Sequence, residues 1–129
     1  MITLITYFKA LNIYSHNAHN LCSGPTFFED HEFFGDLYSF ADKGYDDLVE
    51  RYIGTQNDAI DLVAINKKAL DGIAGLGNNY MVNTLNMCLE INSELQKMSI
   101  IEDGGILNLI QGQQDQLQVF IYKLKRRTK

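Results

Sequence analysis

One stretch of this chain fixes what it can fold into. Phe27, His31, Phe34, Tyr38, Ala41, Tyr45, Leu48 and Tyr52 follow one another in steps that alternate four and three. That spacing keeps returning to one side of an α-helix, and a strand with its period of two cannot produce it. The segment therefore predicts one long helix with a single buried face. Thr26 before it and Glu29 three residues later form a capping-box pattern. Gly54 supplies a C-terminal stop, and Arg51 complements the negative end of the helix dipole.

The same period recurs along the chain. Leu4, Phe8, Leu11, Ser15 and His19 predict a helix over 2–21. A weaker, shorter helix over 58–70 carries Ile60, Leu62, Val63 and Leu70. A third long helix, over 79–98, turns Val82, Leu85, Leu89 and Leu95 inward. The last, over 106–126, buries Ile106, Leu109, Ile110, Leu117, Phe120, Ile121 and Leu124. Breaks fall at Ser23–Thr26, Asp71–Gly77 and Glu102–Gly105. The glycine-rich Asp71–Gly77 follows no strand and lacks the Gly-Lys-Ser/Thr ending of a phosphate loop, so it reads as a turn. Four long helices, with a short one in the single long connection, predict an all-α single domain over 1–129: a four-helix bundle with one crossover.

With 129 residues, 46% of them apolar and 21% charged, the chain can bury one core. A net charge of −5 makes the average surface repel nucleic acid and anionic membranes. Against that average, Lys123, Lys125, Arg126, Arg127 and Lys129 gather in a basic C-terminal tail over 123–129. Such a tail can hold DNA phosphates by counterion release, or it can simply complement a helix end. No apolar run is long enough to span a membrane, and the N-terminal residues show no signal-peptide pattern. Cys22 and Cys88 are expected to be free thiols in a reducing compartment, the cytoplasm.

His19, His31, Asp46 and Glu50 carry the chemistry. On an ideal helix Asp46 lies about 60° and Glu50 about 100° from His31, so all three lie on or beside the protein-facing stripe. A carboxylate there is costly unless paired or metal-bound. Fifteen residues also put His31 and Asp46 roughly 22 Å apart along the axis, so they cannot share an ion within one chain. Two copies packed antiparallel about a two-fold axis would bring His31 of each to Asp46 of the other. Two sites would result, each with two imidazoles from one chain and two carboxylates from its partner. Such nitrogen and oxygen donors suit ferrous iron, manganese or zinc. A hydrogen-bonded core histidine and a solvated helix end fit the same residues.

The pattern His19, Gly24, Phe27, His31, Asp46, Glu50 and Arg51 resembles that of the mini-ferritins called Dps, the DNA-protecting proteins of starved cells. The resemblance is close over residues 16–54. It implies a ferritin-like bundle with a short crossover helix between helices two and three. It further implies a hollow homo-dodecamer built on two-fold dimers; a cytoplasmic protein, bacterial, archaeal or phage-encoded, that can associate with the nucleoid is expected. Such shells oxidise ferrous iron, usually with hydrogen peroxide, and store the ferric product. By resemblance His19, His31, Asp46 and Glu50 become the inter-subunit iron ligands, with Glu50 bridging two irons.

Two positions depart from the pattern. Gly35 stands where the family usually has an aspartate, and Asn20 where it often has tryptophan. Asp36 is about 100° further round the helix from position 35. The missing carboxylate predicts a weaker first iron site, and a non-catalytic shell or DNA-binding protein is the alternative. His16 is expected at the surface or in a supporting hydrogen bond. Glu102, Asp103 and Asp115 are expected to serve as an acidic helix start or an iron-entry pore.

Overall fold

The computed structural model describes residues 1–56 and 59–129, with Gln56 described by its backbone alone. The described residues are helical with no strand: α1 (Ile2–Leu21), α2 (Phe27–Gln56), α3 (Leu62–Ile73), α4 (Tyr80–Ile101) and α5 (Gly104–Arg127). α1 packs against α2 and α4, and α5 packs against α4 and, more sparsely, α2. The short α3, in the connection between α2 and α4, lies on α1. No helix among the described residues is long and apolar enough to cross a membrane.

The core follows the stripes of α1, α2 and α5. Leu4, Phe8, Leu11, Phe34, Leu37, Leu48, Leu117 and Leu124 are almost wholly excluded from solvent. The closest approach is between α1 and α2. A Cβ on Gly44 would stand 2.6 Å from the Phe8 ring, so glycine at this position is what lets Phe8 sit so close to α2. The loop after α3 turns through Gly75 and Gly77, both at positive φ, where a side chain would be strained. Tyr14 of α1 donates to the Gly77 carbonyl at 2.9 Å, and Asn83 of α4 donates to the Tyr14 hydroxyl at 3.0 Å. The glycine-rich segment is thus a pinned turn between helices.

Several local expectations are corrected. α2 runs through Gly54 to Gln56, because glycine favours a helix end only where a left-handed turn follows, and Gly54 has no positive φ. α3 starts at Leu62, where the Asp61 carboxylate accepts from the Ala64 N–H; position 58 lies outside the described residues. On α4 the buried face is Thr84, Cys88, Ile91, Leu95 and Met98, while Val82 and Leu89 are exposed. Leu95 belongs to both stripes, and the buried threonine and cysteine disguised the true one. On α3, Ile65 and Ala69 face inward and Val63 and Leu70 face out.

The capping box at Thr26 is also replaced. The Thr26 hydroxyl donates to the Asp30 carboxylate at 2.8 Å rather than capping through Glu29. Arg127, from the far end of the chain, closes on the same carboxylate at 3.2 and 3.4 Å and donates to Thr26 as well. Asp30 is buried, so its charge needs this partner.

Candidate metal centre

The site begins where α1 ends. The last carbonyls of a helix lack intrahelical partners, and His19 lies in that final turn. His31 lies in the early part of α2, directly across the short connection. The two imidazoles stack with ring centres 3.7 Å apart. His31 Nδ1 sits 2.7 Å from the His19 carbonyl, and His19 Nδ1 sits 2.6 Å from the His31 carbonyl. A carbonyl can only accept, so both Nδ1 atoms carry the proton in these bonds. These bonds use Nδ1 of each ring and leave Nε2, the other nitrogen through which imidazole can bind a metal.

Three more side chains complete the histidine end. His16 stacks on Tyr38 at 4.0 Å, and the Tyr38 ring stands edge-on to His19 at 5.2 Å. Phe27 covers the other face of His31 at 5.1 Å. Tyr38 belonged to the sequence stripe and His16 shares a face with His19, yet only the packed hairpin shows that they wall in the pair. Gly35 has the sharpest role: a Cβ there would lie 3.2 Å from both Nδ1 and Cε1 of His19. A side chain at position 35 would press on the His19 ring, which would have to give by a few tenths of an ångström.

Asp46 and Glu50 stand at the other end of α2, both exposed. They line an open groove with His16, Tyr38, Asp42 and Asp47. Lys43 in the same groove pairs with Asp47 at 2.7 Å, and that bond raises the lysine pKa. Among the described residues of one chain, no three His, Cys, Asp or Glu side chains form a metal cage. Within one chain, then, Asp46 and Glu50 of α2 do not join the pair that His19 of α1 makes with His31 of α2.

The remaining residues singled out in the sequence fall elsewhere. The basic segment is the final turn of α5, helical through Arg127. Lys123, Lys125, Arg126, Arg127 and Lys129 are all exposed, and Arg127 is in addition paired with Asp30. Asp103 precedes α5 without a side-chain capping bond, and Asp115 is exposed along it. Both cysteines are free thiols. Burial pushes Cys88 up to about 12, and Cys22 is raised by burial and by nearby Asp30.

No family model, curated protein or solved structure matches this chain.

Proposed function

We propose that this chain is a Dps-like mini-ferritin. Its long helices assemble as a ferritin-like bundle, and bundles pair about a two-fold axis that sets His19 and His31 of one copy against Asp46 and Glu50 of the other. The observation that carries this reading is the reciprocal histidine pair. Two backbone carbonyls hold the Nδ1 protons and leave two Nε2 lone pairs for a cation. The order of helix contacts and the short α3 between α2 and α4 agree with such a bundle.

Ferrous iron is the substrate. Two ferrous ions each give one electron to hydrogen peroxide, which takes up two protons and leaves as two waters. The imidazoles bind without adding charge, and the carboxylates offset the charge of the ions. Higher assembly into a dodecameric shell would enclose the ferric product. Exposed Lys123, Lys125, Arg126 and Lys129 give each shell basic points that can touch DNA phosphates.

The test joins solution mass with peroxide-driven Fe2+ oxidation. A two-fold assembly and an oxidation rate lost in His31→Ala/Asp46→Ala are expected. A monomer, or equal rates in the two proteins, sinks the enzyme reading. DNA binding that survives when oxidation is absent in the wild type would favour the non-catalytic shell.

A further inference from the structure

Resting on the reading of His19 and His31 as metal ligands, we infer that Gly35 is the positioning residue of this site and sets its metal preference. Three surfaces fix the His19 ring. His31 stacks on it at 3.7 Å, the Tyr38 edge stands 5.2 Å away, and Nδ1 is tied to the His31 carbonyl at 2.6 Å. The remaining side is the backbone of Gly35, where an added Cβ would come within 3.2 Å of the ring. That separation is below ordinary van der Waals contact, and the ring cannot recede without weakening its hydrogen bond or its stack.

Position 35 lies one turn beyond His31 on α2, so any side chain there would face the same end of the helix. Glycine keeps that place free for imidazole. The histidine half of the site thus offers two nitrogen donors and no oxygen. Imidazole favours borderline cations such as Co2+, Zn2+ and Fe2+, whereas Mn2+ and Mg2+ favour carboxylate and water. With Asp46 and Glu50 of the other copy as its only carboxylates, the site is shifted toward the borderline ions by its two imidazoles, and Gly35 holds that shift by holding His19.

Full-length protein titrated separately with Co2+ and Mn2+ tests the metal preference. The wild type is expected to bind Co2+ at least about tenfold more tightly than Mn2+. Gly35→Ala should weaken Co2+ binding by about tenfold or more, the usual range when a ligand's orienting contact is lost. In the metal-free protein, nitrogen NMR of the rings should show that His19 loses its Nδ1–H bond in Gly35→Ala. A metal-free control removes the ring: Gly35→Ala should lower the melting temperature of the wild type but raise that of His19→Ala, because alanine suits a helix interior better than glycine.

Unchanged Co2+ affinity with an intact His19 Nδ1–H bond, or equal melting shifts in the two backgrounds, overturns the role of Gly35 alone. Equal Co2+ and Mn2+ affinities in the wild type overturn the metal preference. A wild type that binds neither ion overturns the metal-site reading and this inference together.

Discussion

The two ends of α2 are built in opposite ways. At its N-terminal end His31 is half-buried, stacked on His19 and Phe27, and fixed by a hydrogen bond across to α1. At its C-terminal end Asp46 and Glu50 project from the helix into an open groove. One end is preorganised by the chain's own tertiary contacts, so its donors lose little freedom on meeting an ion. The other end presents charge without such support. Under the proposed function the two ends would be half-sites that complete each other between copies.

The largest effect should come from mixing broken ends. His31→Ala and Asp46→Ala proteins should each have lost peroxide-driven iron oxidation. Unfolded and refolded together at equal concentration, they should recover about a quarter of the wild-type activity. Random pairing makes half the dimers mixed, and each mixed dimer holds one intact site of two. No recovery in a protein of the right mass would break the inter-copy arrangement.

Next in size is the seam between the two ends. Gly44→Ala drives a methyl into Phe8 and should cost about 1–3 kcal/mol, seen as a lower urea midpoint at unchanged slope. A neutral result would mean that α1 and α2 slide easily, which would undermine the rigidity claimed for the histidine end. The smallest effect compares the ends directly. His31→Ala loses the bond to the His19 carbonyl, which then keeps only the weak Cys22 thiol contact at 3.7 Å, and should cost about 1 kcal/mol. Asp46→Ala, at an exposed position, should stay within about 0.5 kcal/mol of the wild type. Equal losses would erase the contrast between the ends.

Much of the helical frame was legible from periodicity because burial repeats along a helix. Leu4, Phe8, Leu11, Phe34, Ala41 and Leu48 all stand in the core where the four-and-three spacing puts them. α4 was legible as a helix but not in its orientation, since Thr84 and Cys88 read as polar or neutral and yet face inward. Arg127 read as one more cation in a basic cluster. Its match to Asp30 joins residues at opposite ends of the chain, which no local pattern encodes.

The sequence by itself determined that His19 and His31 fall on adjoining helix ends and that Asp46 and Glu50 lie too far down α2 to join them. Fixed rise and turn per residue make both statements a matter of counting. Only the tertiary structure decided that each histidine's Nδ1 meets the other's carbonyl, that Tyr38 and His16 wall in the pair, and that Gly35 is the clearance for His19. Those facts depend on how closely two helices approach and which rotamers then fit, quantities set by packing across the α1–α2 seam rather than by spacing along either helix.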